Sequence, residues 1–283
     1  MGEIAIRPFS ESDLAEVMKL KERADWNQTE KDWQRLITLD PQGSFVACLD
    51  GRVIGTVTTI TYGRKLSWIG MMLVDSFYRR RGIGTGLMQT ALQYLDRIGV
   101  DSIKLDATPD GRPLYESLGF RAEGRIERWV GNAPSVEKKD RLKIEPETRP
   151  AIDEFDREAF GVDRRVLLDF LMADCPVKPL MDKAPDGRLE GYILARPGSK
   201  AFYIGPVVAR NKEVALSLLD GMLSQLVGKT IYLDFNTGFG LGTEVLTYRG
   251  LVKQRDLTRM HFSQESSAGT SSLIFGIAGP ELG

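Results

Sequence analysis

The sequence predicts an α/β fold present in two copies, and three observations carry that prediction. From Val74 to Leu95 a basic, glycine-rich turn joins an apolar strand to an amphipathic helix. Upstream, a hairpin signal at Asp50-Gly51 joins two β-prone runs, SFVACL and VIGTVTTI. The pattern of the first half then returns about 130 residues later. A chain of 283 residues has the length of about two ordinary domains.

After the hairpin, Leu66 to Val74 (LSWIGMMLV) is continuously apolar and bounded by Gly63 and Asp75, as a buried strand should be. Leu87, Met88, Ala91, Leu92 and Leu95 recur at helical spacing, so the segment that follows has one face to pack on a sheet. Between them, Gly82, Gly84 and Gly86 remove side chains where the helix begins, leaving its free backbone N–H groups open to a ligand. Such a helix start favours anions, and Arg79, Arg80 and Arg81 add fixed positive charge beside it. The turn therefore reads as a phosphate cradle. A Rossmann dinucleotide turn accounts for Gly82, Gly84 and Asp106, but Leu87 holds its third glycine position and the arginines have no part in it. A Walker loop is excluded, since no Gly-Lys-Ser/Thr follows. Further on, Ser102 to Leu105 is a short β-prone run ending in Asp106, and TPDGRPLYESLGF follows from Thr108 to Phe120.

Arg79, Gly82 and Gly84 resemble, in register, the pyrophosphate loop of the GNAT superfamily of N-acetyltransferases. Leu114, Tyr115, Leu118, Gly119 and Phe120 resemble the superfamily's next element, a short helix that presents a tyrosine. Asp106 stands where many members have Asn. The resemblance implies a mixed, mostly antiparallel sheet flanked by helices, and acetyl-CoA as co-substrate without a metal. It places the coenzyme against Met72, Leu73, Val74, Arg79, Arg80, Arg81, Gly82, Ile83, Gly84, Thr85, Gly86 and Leu114. A strand N–H within Met71 to Val74 would hold the thioester carbonyl, an oxyanion-type contact. Tyr115 matches the general acid, since a phenol near its normal pKa of about 10 can protonate a departing thiolate.

The second half echoes the first without its cradle. Gly187-Arg188-Leu189-Glu190-Gly191 repeats Gly51-Arg52-Val53-Ile54-Gly55, and the run Phe202 to Ala209 (FYIGPVVA) repeats WIGMMLV. A helical segment from Glu213 to Val227, a strand ending at Asp234 and the words Tyr248-Arg249-Gly250-Leu251 complete the copy. Where the first half has RRRGIGTG, the second has RNKEVALS. This layout resembles tandem GNAT proteins: a catalytic domain over residues 1–140, a charged linker from Lys138 to Pro150, and a GNAT-like domain over 148–283 lacking the coenzyme motif.

The amine's base is harder to place, because SWIGMMLV carries no carboxylate. Asp106 is the nearest candidate, with Asp75 behind it. The segment Asp25, Trp26, Asn27 and Gln28 falls where the family places the loop over the acceptor cleft, with Trp33 as helix packing and Asn27 with Glu30 as an alternative cap. His261, the only histidine, reads as structural, and Cys48, in an alternating strand, as a buried inert thiol. A net charge of −1 without a basic tail argues against nucleic acid. Two cysteines, Cys48 and Cys175, make no disulfide framework, and neither a signal-peptide core nor an apolar run of spanning length is present. With Ile6 where Ser or Thr is needed, the Met-Gly start is no myristoylation signal. The expectation is a cytoplasmic N-acetyltransferase acting by direct attack of a primary amine of a small molecule, amino acid or peptide, with no membrane partner and a homodimer left open. A non-catalytic acyl-CoA-binding module, in which the cradle senses the coenzyme, is the alternative.

Overall fold

A computed structural model describes residues 3–135, 141–237, 244–262 and 269–283. The first half runs β1 (Ile4–Pro8), α1 (Leu14–Arg23), α2 (Glu30–Leu39), β2 (Ser44–Leu49), β3 (Arg52–Tyr62), β4 (Leu66–Val74), α3 (Ile83–Arg97), β5 (Ser102–Ala107), α4 (Arg112–Ser117) and β6 (Arg121–Asn132). The second repeats this order as β7 (Leu142–Lys143), α5 (Arg149–Phe160), α6 (Arg165–Ala173), β8 (Leu180–Lys183), β9 (Leu189–Arg196), β10 (Phe202–Ala209), α7 (Lys212–Gln225), β11 (Thr230–Asn236), α8 (Glu244–Thr247) and β12 (Val252–Phe262), then adds β13 (Ile274–Gly276). The duplicated α/β fold and its mostly antiparallel sheet are thus as the sequence implies. Strands β2, β4 and β10 coincide with the runs read from sequence, because an apolar stretch of six to nine residues bounded by turn residues is too short for an ordinary helix and can bury both faces as a strand. At the β2–β3 hairpin Asp50 and Gly51 both take positive φ, 48° and 78°, the conformation a two-residue primed turn requires. Of the expected linker, residues 138–140 lie outside the described residues. Leu142–Lys143 pair with β8, and Arg149 and Pro150 already belong to α5.

Two features go beyond the sequence reading. All the described strands join one sheet, in the order β1-β2-β3-β4-β5-β12-β6-β11-β13-β10-β9-β8-β7. The last long strand of each half therefore crosses over: β12 pairs with β5, β6 pairs with β11, and β6 and β12 pair with each other. Two buried ion pairs fix this exchange. Arg259 of β12 grips Asp106 of β5 with two bonds of 2.9 Å, and Arg128 of β6 grips Asp234 of β11 at 2.7 and 2.5 Å. Below the sheet, α1, α2, α5 and α6 bring Val17, Leu20, Trp33 and Leu36 into one core with Ile152, Phe155, Leu167 and Leu168, so the halves share a central apolar cluster. Trp33, stacked on Phe9 at 6.0 Å, is part of it.

The exchange has a testable consequence. Removing one partner of a buried pair leaves the other charge uncompensated, which costs about 3–5 kcal/mol. Asp234→Ala should lose stability of about that size, because Arg128 would keep its charge in the sheet interior beside Tyr203, whose hydroxyl also donates to Asp234 at 2.9 Å. Urea unfolding measures it: the midpoint should fall with an unchanged slope. A midpoint equal to that of the parent protein would show that the pair does not hold the exchanged strand.

Candidate active site

The site begins where β4 parts from β5. These parallel strands pair only from Leu66–Trp68 to Ser102–Lys104, so the main chain of Ile69–Val74 that faces β5 has no strand partner there. A bulge sets the direction of the split: between Thr56↔Leu73 and Thr58↔Gly70, Met71 and Met72 oppose Val57 alone, and Met71 takes φ 47°. The buried Thr56 hydroxyl donates to the Met71 carbonyl at 2.7 Å and holds the bulge. Backbone N–H groups of this stretch are thereby freed for a ligand.

The cradle stands at the mouth of the split. Gly82, at φ 78°, precedes α3 without a side-chain cap, and space is open where its Cβ would lie. A Cβ on Gly84 would come 2.9 Å from Met72 Cε and 3.3 Å from Leu114 Cδ2, so the helix start, β4 and α4 converge on one point. Arg79, Arg80 and Arg81 are exposed beside it. Their described contacts are with main chain and a ring: Arg79 Nε on the Val74 carbonyl at 3.1 Å, Arg81 on the Phe77 carbonyl and over Tyr78. Their charge therefore stays available to an anion. Ile83 is buried against the sheet, while Thr85 and Gly86 are half-buried. The residues expected to hold the coenzyme thus fit a pyrophosphate at a helix start.

Behind the cradle lies a cleft with about 630 Å³ of empty space, its mouth included, lined by Met71, Met72, Asp106, Tyr115, Arg255 and Glu281 among others. Tyr115 comes from α4 and packs edge-on against Phe120 at 6.1 Å. Among the described residues its hydroxyl has no hydrogen-bond partner, and burial pushes its pKa above the ordinary value. Asp106 reaches the cleft wall with both oxygens on Arg259, whose guanidinium lies 4.5 Å from the Trp68 ring. Burial pushes the Asp106 carboxyl up while Arg259 pulls against it. Asp75 caps the turn after β4 by accepting from Phe77 N at 3.0 Å, and pairs with Arg23.

The acceptor loop divides. Trp26 and Gln28 line the cleft. Asn27 turns away and clamps the second half: it donates to the Ala201 carbonyl at 3.0 Å and accepts from the N–H groups of Lys200 and Ala201. Asp25 pairs with Lys200. The helix cap belongs to Thr29 and Asp32, two residues on from the Asn27 and Glu30 pairing the sequence offered. His261 is buried with Nδ1 3.4 Å from Glu123, and Cys48 is buried with its thiol pKa raised by desolvation. Among the described residues no cluster of His, Cys, Asp or Glu could hold a metal, and no helix is long and apolar enough to cross a membrane.

Sequence reasoning missed the segment 279–283. It lies against the split, with Trp68 Nε1 donating to the Pro280 carbonyl at 2.9 Å and the Tyr62 hydroxyl to the Leu282 carbonyl at 2.6 Å. A Cβ on Gly70 would come within 2.6 Å of Glu281, so glycine there permits the contact. Its small, glycine-rich sequence carries no motif, and only the fold brings it to β4.

Among its described residues the second half has no such site. Its corresponding strands β10 and β11 also pair directly only at Phe202–Ile204, but β13 then fills the split, pairing with both. Asn211 caps α7 by accepting from Val214 N at 2.9 Å, using its own side chain where α3 leaves room. Tyr248 is 92% exposed.

Comparison with known proteins agrees with this geometry. Residues 4–120 match the Acetyltransferase (GNAT) family and residues 152–276 the Acetyltransferase (GNAT) domain. The chain is 28% identical over 216 residues, 74% of either chain, to an uncharacterised N-acetyltransferase, YitH, of Bacillus subtilis (strain 168). It is 24% identical over 264 residues to a holothin acyltransferase of Pseudoalteromonas sp. (strain SANK 73390), covering 91% of this chain and 87% of that one. A putative acetyltransferase from Pyrococcus horikoshii shares the fold at a TM-score of 0.83 and 24% identity, over 99% of this chain and 96% of its own. A tandem GNAT protein from the clavulanic acid biosynthesis pathway does so at 0.66 and 15%, over 94% of this chain and 100% of its own. With the split, the cradle and the duplicated order in place, the chain belongs to the GNAT family of acetyltransferases and carries two GNAT domains in tandem.

Proposed function

We propose that the first half, over residues 1–140, transfers the acetyl group of acetyl-CoA to a primary amine by direct attack, and that the second, over 148–283, shapes the acceptor side and binds no coenzyme. The observation that carries this reading is the contrast between the two splits, one open beside a side-chain-free helix start and the other filled by β13. In the first, the pyrophosphate would rest on the N–H groups from Gly82 to Gly86 with Arg79, Arg80 and Arg81 around it, and Met72, Leu73, Val74 and Leu114 would flank the pantetheine arm. A free N–H of the bulged strand would hold the thioester carbonyl and stabilise the charge that grows there during attack. Tyr115, with its hydroxyl unpartnered among the described residues, would donate to the departing thiolate; burial raises its pKa and makes it a weaker acid than the ordinary phenol expected from the sequence.

Calorimetric titration of the intact chain with acetyl-CoA should give one equivalent, and thiol release should rise when an amine acceptor is added. Two equivalents would overturn the division between the halves. Binding without thiol release for any amine would favour a coenzyme-sensing module.

A further inference from the structure

Resting on that reading, we propose that the acceptor cleft has two charged poles, Glu281 for the acceptor's amine and Arg255 for a carboxylate on the same molecule, so that the acceptor is amino-acid-like.

Glu281 is held in place from both halves. Its Oε1 accepts from Arg196 Nη2 at 3.1 Å and its Oε2 from Gln28 Nε2 at 3.1 Å. Arg196 is anchored in turn by the Ala278 carbonyl at 2.7 Å and by Asp32, which Arg35 also grips at 2.7 Å. A carboxylate braced in this way has a defined position, and each of its oxygens keeps a lone pair beyond these single bonds. Asp106, the other acid on the cleft wall, has both oxygens on one guanidinium. Burial pushes the Glu281 carboxyl upward against the pull of Arg196, toward the range in which a carboxylate accepts a proton readily.

Arg255 is the opposite pole. It lines the same cleft from β12, and its Nε is buried without a hydrogen-bond partner. Asp234, whose charge acts on it, has both oxygens on Arg128. Burial and the neighbouring Arg128 push the Arg255 pKa down to about 10, so it remains a cation at neutral pH. A half-buried guanidinium whose Nε is buried without a hydrogen-bonded partner is costly, and a planar carboxylate bound through two parallel N–H bonds is the partner its fork fits.

The step balances. Glu281 takes one proton from the acceptor ammonium, and the nitrogen lone pair attacks the thioester carbon. As the C–N bond forms and the C–S bond breaks, the sulfur takes the Tyr115 proton. The second nitrogen proton, released to water, restores the phenol. The proton on Glu281 leaves to solvent, so each turnover releases one proton.

The test follows thiol release from acetyl-CoA with free amino acids, their amides, spermidine and phosphoethanolamine, with acetyl-CoA affinity measured by calorimetry on the same preparations. At least one amino acid should exceed its own amide tenfold or more in kcat/KM. Arg255→Gln should erase that preference through KM. Glu281→Gln should lower kcat by about a hundredfold or more with acetyl-CoA affinity unchanged, as for loss of a base, and Glu281→Asp should recover part of it. The Arg255 side chain makes no described hydrogen bond to the fold, so its variant tests the anion pole even where Glu281→Gln unfolds. Amides, spermidine or phosphoethanolamine that equal or surpass the amino acids, or no turnover of any amine by a protein that binds acetyl-CoA, would overturn the two-pole cleft. A parent protein that does not bind acetyl-CoA would instead overturn the coenzyme site on which the cleft depends.

Discussion

Gly84→Glu should reduce acetyl-CoA affinity by more than a hundredfold while leaving the far-UV circular dichroism spectrum unchanged. Any side chain at this position enters the point where α3, β4 and α4 meet, since a Cβ alone would stand 2.9 Å from Met72 Cε. Met72 Cε is the far end of a flexible side chain, so it can give way and the fold survives. The longer arm of Glu then extends into the space beside the helix start, and its carboxylate takes the place that the N–H groups and the arginines offer to a phosphate. Two effects add, occupancy and like-charge repulsion. Gly84→Ala separates them, because it supplies the Cβ without the charge and should cost far less. Calorimetry reads both variants, and equal affinities for parent and Gly84→Glu would remove the coenzyme from this turn.

For Tyr115→Phe, kcat should fall by roughly ten- to a thousandfold with little change in KM for acetyl-CoA, since a proton donor used only as the thiolate forms contributes nothing to ground-state binding. The ring keeps its place in the substitution: its edge contact with Phe120 is apolar, and the lost hydroxyl has no hydrogen bond to a described residue. Stability should therefore stay within a fraction of a kcal/mol of the parent, in the range of substitutions that break no contact. Unchanged kcat under conditions where chemistry limits turnover would assign Tyr115 to packing alone.

Much of the proposed coenzyme site was legible because its chemistry depends on local sequence. A side-chain-free helix start must be written with glycine, and its charge with arginine, so RRRGIGTG announces the cradle without reference to the rest of the chain. The tyrosine of α4 follows at a fixed distance for the same reason. The acceptor side was far less legible. Asn27 and Gln28 are adjacent in sequence, yet one clamps residues 200 and 201 while the other reaches Glu281, and nothing in the segment itself separates these roles. Asp106 looks like a free strand-end carboxylate until Arg259, 153 residues away, takes both its oxygens.

By itself, the sequence determined most element types, the duplication and the presence of a glycine-rich, basic helix start in the first half and not in the second, since all three rest on periodicity and turn chemistry within short windows. Only the tertiary structure decided the strand exchange, the filling of the second split by β13 and the arrival of Glu281 beside the bulge of β4. Strand order and long-range ion pairs are set by which burial satisfies the whole sheet at once. An exchanged strand keeps the same alternation of inward and outward residues as one that stays in its own half, so the pattern along the chain is identical in both arrangements. The choice falls to partners more than a hundred residues apart, such as Arg128 with Asp234 and Arg259 with Asp106.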